Sequence, residues 1–287
     1  MTDDLDREVE VPTDPQRIAV LHDKNLGTPL IELGVLPVGS HGRVTAGGEP
    51  FIRGSITVTG LDFDNSAIEF LGGNPADLER IAAVQPDLII TSTWQDADVT
   101  QLSQIAPTVV VDTTMRGTIG VFPLLAEATS REAELAVLEQ RYEAQIAQIR
   151  RIVDTENITV SVLQGVSDGC TCSTPTPRSA RSCAMRGSAI PEGSFETWSA
   201  ERLPDLDADV IFMTYRTDQE QVPQDARDAV DALVPGFCEL LHACRAGKMV
   251  ILPRAEAISA SYDALMAMAM AVLAAMSSNE ILPMEEG

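Results

Sequence analysis

The sequence predicts an α/β protein of two doubly wound lobes with mainly parallel sheets, joined by one long α-helix. Three observations carry this. A chain of 287 residues exceeds the usual single-domain size. Short apolar runs alternate with stretches of helical period on both sides of the middle, as in βαβ architectures. Between them lies a single uninterrupted helical period in place of a flexible linker. The expected division is an N-terminal tail over 1–13, a first lobe over 14–128, the interlobe helix over 129–154, a second lobe over 155–277 and a C-terminal tail over 278–287.

In chain order, Ile18-Ala19-Val20-Leu21 after Pro15 is β-prone, and a loop then leads into the apolar-periodic Thr28 to Leu33, which stops at Gly34. Val35 to Val38 opens into Gly39-Ser40-His41-Gly42-Arg43. A helix from Glu79 to Val84 ends before Pro86, and Asp87-Leu88-Ile89-Ile90 reads as a buried strand. Val109-Val110-Val111 repeats the pattern. From Thr129 to about Val153, Leu135, Leu138, Tyr142, Ile146, Ile149 and Ile152 recur at three- and four-residue steps. Thr129 and Glu132 have the spacing of a capping box. At 1.5 Å per residue this helix spans about 35 Å, enough to run between lobes as a spine and to limit hinge motion. Strands follow at Ile158–Leu163, Asp209–Met213 and Met249–Leu252, and Ser261 to Met276 reads as a buried helix whose methionines fill a core. The acidic stretch after Pro283 is expected to fray.

Hydrophobic residues make up 45% of the chain and charged residues 22%, a globular balance, and no apolar run reaches the ~18 residues of a membrane span. The formal net charge of −23 opposes nucleic acids and anionic lipid surfaces, leaving small molecules and basic protein surfaces as partners. The opening Met-Thr-Asp-Asp-Leu-Asp carries neither a basic n-region nor an apolar h-region, so no signal peptide is read there. No G-x-S-x-G elbow, phosphate loop or dinucleotide fingerprint is present, which argues against an enzyme. His22, His41 and His242 are too scattered for a histidine-rich metal site and read as loop or surface residues; no resident cofactor or protein-ligated metal is expected.

The run Asp77-Leu78-Glu79-Arg80-Ile81-Ala82-Ala83-Val84-Gln85-Pro86-Asp87-Leu88-Ile89-Ile90 resembles the N-L-E-x-I-x-x-L-x-P-D-L-I-I signature of helical-backbone, class III periplasmic substrate-binding proteins. These serve ATP-driven importers of siderophores, haem and cobalamin. Pro15 to Leu21, Ile105 to Val110 and Trp198-Ser199-Ala200-Glu201-Arg202-Leu203 match in the same order, so the resemblance covers roughly residues 12 to 275. It implies two Rossmann-like lobes, a periplasmic or otherwise extracytoplasmic location with or without a lipid anchor, a monomer, and an ABC importer permease as partner. One glutamate per lobe docks on the permease in that family; the matching positions are Glu79 and Glu201. It implies a ferric siderophore as ligand, with a cobalamin or haem carrier, or a non-transporting sensor, as alternatives.

Ligand contacts in such folds lie on loops at the strand ends. By position the candidates are Lys24, Asn25, Arg43, Arg53, Trp94, Arg116, Tyr215, Arg216 and Arg254. Guanidinium groups suit anionic catecholate and carboxylate chelates, whereas flat walls such as Trp94 and Tyr215 suit near-neutral hydroxamates.

Five cysteines remain. Cys238 and Cys244 would be about 9 Å apart on a continuous helix, so a bridge, favoured by an exported location, requires the helix to break. Cys170, Cys172 and Cys183 fall in a segment, 170–189, with no helical or strand period. One choice of GC-rich codons read two nucleotides later gives a run resembling the family's L-G-Q-V-L-R-D-A-G-F helix. The segment is therefore read as a local reading-frame error.

Overall fold

The structure is a computed structural model and describes residues 1–153, 158–166, 169–173, 196–254, 257 and 259–277. Strand β1 (Ile18–Val20) is followed by a π-helical turn, Asp23–Gly27, that runs directly into α1 (Thr28–Glu32). Then come β2 (Gly39–Ser40), the antiparallel hairpin β3 (Arg43–Val44) and β4 (Pro50–Phe51), α2 (Ser55–Val58) and β5 (Glu69–Phe70). Helix α3 (Leu78–Ala83), β6 (Leu88–Ser92), α4 (Val99–Ile105) and β7 (Thr108–Val111) complete a parallel sheet of order β5-β2-β1-β6-β7. Asp77 and Asp98, at the caps of α3 and α4, accept backbone N–H groups that the helices cannot satisfy themselves. Asp112 does the same for α5 (Thr113–Gly120), which leads into α6 (Phe122–Thr129).

Alternation along the strands divides the first core. Ile18, Val20, Leu88 and Ile90 face one side, with α1 and α6, while Ala19, Leu21 and Ile89 face Ile81 of α3 and Leu102 of α4. Residues 1–13 are folded onto the open edge of this sheet. The amide of Asp4 donates to Val110 O at 3.1 Å, Val110 N donates to Asp3 Oδ2 at 3.1 Å, and Arg7 Nη2 reaches Thr108 O at 3.0 Å. Unpaired groups of an edge strand are thereby covered.

The spine is α7 (Glu132–Ile152). Its start differs from the sequence expectation: Thr129 ends α6, and its hydroxyl donates back to Leu125 O at 2.7 Å instead of capping α7. Ser130, with φ 54°, separates the two helices. The capping-box spacing is present but the chain reverses inside it.

In the second half, β8 (Val160–Val166), β9 (Gly169–Ser173), β10 (Glu196–Trp198), β11 (Val210–Tyr215) and, after α8 (Pro223–Leu233) and α9 (His242–Arg245), β12 (Met249–Pro253) form a sheet of order β10-β9-β8-β11-β12. Strands β8, β11 and β12 are parallel; β9 and β10 are antiparallel additions. Cys170 to Ser173, read from sequence as without strand period, belong to β9, while residues 174–189, the rest of the segment assigned to a reading-frame error, lie outside the described residues. The tail from 278 does too.

Cys238 and Cys244 are bridged, with Cα atoms 5.1 Å apart. The helix breaks as the spacing required: a 3₁₀ turn over Phe237–Glu239 is followed by Leu240 and Leu241, and α9 starts anew at His242.

The last helix, α10 (Tyr262–Ser277), enters both cores. Tyr262, Leu265, Met266 and Ala269 pack with the first sheet and α7, whereas Met268 and Val272 pack with Val162 and Phe212 of the second. Tyr262 makes edge contacts with Phe122 at 4.8 Å and Tyr142 at 5.5 Å between ring centroids. The lobes are therefore joined by two helices where the sequence suggested one. No described helix is long and apolar enough to cross a membrane.

Candidate functional site

The first sheet reverses its direction of growth between β1 and β6: from β1 the chain adds β2 and β5 on one side, then returns to add β6 and β7 on the other. Loops leaving the C-terminal ends of strands at such a switch point diverge and leave a crevice. His22 to Gly27 leave β1 there, His41 to Arg43 leave β2, and Trp94 leaves β6.

At the centre is Asp23, fully buried. Its carboxylate receives the Arg53 backbone N–H at 3.1 Å, Arg53 Nε at 2.9 Å and Nη2 at 2.5 Å, and His41 Nδ1 at 3.3 Å. Burial by itself would raise the pKa of Asp23. The Arg53 guanidinium and the His41 hydrogen bond overcome it and hold the carboxyl well below its usual range. Gly54, at φ 72°, turns the chain after Arg53 so that both its main chain and its side chain face Asp23. Gly42 lets the β3–β4 hairpin approach: a Cβ there would lie 2.6 Å from the Phe63 ring and 2.8 Å from Phe51 O.

Trp94, 42% exposed, covers this centre. Its ring meets His22 at 5.3 Å and His41 at 5.7 Å, edge on, and the Arg43 guanidinium lies 5.6 Å from its centroid. The loop is pinned from below, because Gln95 Nε2 donates to Leu21 O at 3.2 Å and Asp96 N donates to Asn74 Oδ1 at 2.8 Å. Lys24 and Asn25, both buried, occupy the turn that also carries Asp23.

Of the residues selected from sequence, the structure brings Lys24, Asn25, Arg43, Arg53 and Trp94 to this one edge. Tyr215 and Arg216 lie at the C-terminal end of β11 and Arg254 directly follows β12, so these three share the corresponding edge of the second sheet. All three are half-buried, and Tyr215 packs on the core of its lobe. Arg116 is not with either group. It sits on α5, bonded through Nε and Nη2 to both oxygens of Asp4 at 2.6 Å, and so fastens the N-terminal segment. Glu79 and Glu201 are exposed, each in the first turn of its helix or 3₁₀ segment.

His22 and His41 lie in loops, as read from sequence, but not at the surface: each is 1% exposed and belongs to the centre, whereas His242 is exposed. Asp23 was missed as well. The described residues contain no cluster of three or more histidine, cysteine or acidic side chains fit to hold a metal ion, so the edge offers positive charge, flat rings and hydrogen bonds. A separate cavity of about 520 Å³ runs along α7, lined by Glu139, Tyr142, Glu143, Arg150 and Tyr262 among others, and includes none of the selected residues.

Each of the two lobes presents loops at the C-terminal ends of its parallel strands, and the chain belongs to the periplasmic binding protein family, whose sequence model matches residues 47–231. Among relatives, the probable siderophore-binding lipoprotein YfiY of Bacillus subtilis (strain 168) is 28% identical over 225 residues, covering 72% of this chain and 66% of that protein. The iron(3+)-hydroxamate-binding protein FhuD of the same organism is 27% identical over 161 residues, covering 55% and 47%. The chain thus spans about half to two thirds of these relatives' length. In fold it resembles Staphylococcus aureus SirA complexed with staphyloferrin B, with a TM-score of 0.70 at 20% identity over 93% of this chain and 95% of that one. The petrobactin-binding protein YclQ of Bacillus subtilis matches with a TM-score of 0.71 at 18% identity, covering 97% and 98%.

Proposed function

We propose that this protein is the extracytoplasmic binding component of an ABC importer, that it captures a ferric siderophore between its lobes, and that it performs no chemistry on it. The observation that carries the reading is the edge of the first sheet. In a chain of net charge −23, the Arg43 guanidinium lies against an exposed indole, beside a buried carboxylate, Asp23, that is paired with Arg53. That arrangement suits a flat, anionic chelate. The names of the relatives support the same ligand class. Iron travels inside the chelate as cargo. Arg216, Arg254 and Tyr215 supply the contacts of the second lobe. Glu79 and Glu201, exposed on opposite lobes, are the docking charges for the permease, where rim ion pairs set orientation and encounter rate. The working form is a monomer outside the cytoplasm.

A thermal-shift and fluorescence screen against ferric catecholate, hydroxamate and carboxylate siderophores tests the proposal. A ligand that binds only the native state raises the melting temperature, and a chelate against Trp94 quenches its emission. Absence of both effects for every class overturns it; a shift with cobalamin or haem alone reassigns the cargo.

A further inference from the structure

His41 is held by one nitrogen and not by the other. Nδ1 lies 3.3 Å from the Asp23 carboxylate, which Arg53 keeps ionised, so Nδ1 carries the proton and donates it. In the neutral form of the ring with this tautomer, Nε2 is an acceptor. Nε2 is fully buried and has no hydrogen-bond partner among the described residues. The Ser92 hydroxyl, at the end of β6 on the same edge, likewise has none. Unsatisfied buried polar atoms are uncommon and costly, which singles them out where they occur. Above His41 lies Trp94, the most exposed part of the centre.

We infer that His41 Nε2 is a ligand-contact acceptor, poised under Trp94 to receive an N–H or O–H of the bound chelate. The inference rests on the proposed siderophore reading and sharpens it. Arg43, beside Trp94, answers the anionic oxygens around the metal, whereas His41 answers a donor on the chelator's backbone, such as an amide or hydroxyl. A site with a fixed acceptor discriminates strongly against an analogue lacking the donor, because the acceptor would then stay buried and unpaired.

Two substitutions separate the roles of the two nitrogens. In His41→Asn the amide nitrogen falls near the position of Nδ1, keeping the bond to Asp23 and removing Nε2. In His41→Gln the amide falls near Nε2 and the bond to Asp23 is lost. Ferric staphyloferrin B, ferric petrobactin and ferrichrome serve as probes, titrated calorimetrically into the intact protein. For whichever binds the unaltered protein, His41→Asn is expected to weaken binding about tenfold with little change in melting temperature. His41→Gln is expected to keep most of the affinity and lower the melting temperature. Unchanged affinity in His41→Asn overturns the inference, leaving His41 a prop for Asp23 and the siderophore reading intact. If no probe binds the unaltered protein, the siderophore reading fails and the inference with it. Should His41→Asn unfold, the ¹⁵N resonance of His41 Nε2 in the unaltered protein decides: it moves towards hydrogen-bonded values on adding the bound probe, or stays still and refutes the contact.

Discussion

Asp23 is a carboxylate with almost no access to water, tolerable only because Arg53 and His41 surround it. Removing one partner of such a buried pair leaves an uncompensated charge, typically at a cost of about 3–5 kcal/mol. Asp23→Asn should therefore lower stability by that order in chemical denaturation, far more than loss of the exposed Arg202 and Asp205 pair. Glu32 is the opposite case. Burial pushes its carboxyl from the ordinary 4.5 up to about 7, against hydrogen bonds from Ser261 Oγ and, at 2.9 Å, Tyr262 N. The folded state then holds a proton that the unfolded chain releases, so this contribution is intact below pH 4.5 and declines as pH rises to about 7. Relative to Glu32→Gln, the unaltered protein should lose about 3 kcal/mol across that window, measured by denaturant titration at several pH values; a flat difference would refute the burial argument. Much at this scale was legible as position and little as pairing. Lys24, Arg43 and Trp94 could be placed at the sheet edge because strand ends can be read from apolar runs. Arg53 and Arg116 were selected by position as candidate ligand contacts, and the carboxylates that hold them, Asp23 and Asp4, lie 30 and 112 residues away, beyond any local pattern. His22 and His41 did carry a usable signal, since each directly follows a β-prone stretch and so ends a parallel strand at the crevice.

Most elements match their periodicities because strand and helix here are buried on defined faces, and burial is what a period encodes. The exception at Thr129 is instructive: a capping box is a local signature, but Phe122 to Ala128 form a helix of their own buried in the first core, and that packing decides where the chain turns. The Cys238 and Cys244 bridge was favoured by the expected exported location on condition that the helix break, and the break at Leu240 and Leu241 supplies what the geometry demanded. Its loop is short, so opening it should cost no more than about 2–3 kcal/mol and leave the second sheet folded; alkylation under denaturing, non-reducing conditions should find neither thiol. The N-terminal segment behaves as an element as well. Asp4→Ala should release it from Arg116 and raise hydrogen exchange at Val110 and Asp112, whose amides bond to Asp3 and Asp4. Unchanged protection there would show that the edge of β7 is guarded by something else.

For the whole molecule, the proposed division of labour separates capture from delivery. Glu79→Lys with Glu201→Lys should leave siderophore affinity within about twofold, since exposed charges remote from a site contribute little to it, while uptake through the cognate importer is abolished; parallel loss of affinity would place these residues at the ligand. The architecture was readable because an ordered set of motifs spans the chain, whereas the second tie between the lobes was not, because a helix rich in alanine and methionine looks equally buried whichever core it fills. That tie bears on how the protein is made. Residues 262–277 supply side chains to both cores, so a nascent chain that has emerged only as far as Ala260 has neither lobe closed, however much of the first has already been synthesised. Completion waits for the final segment, and a chain truncated after Ala260 should be cut by protease in both halves rather than in one.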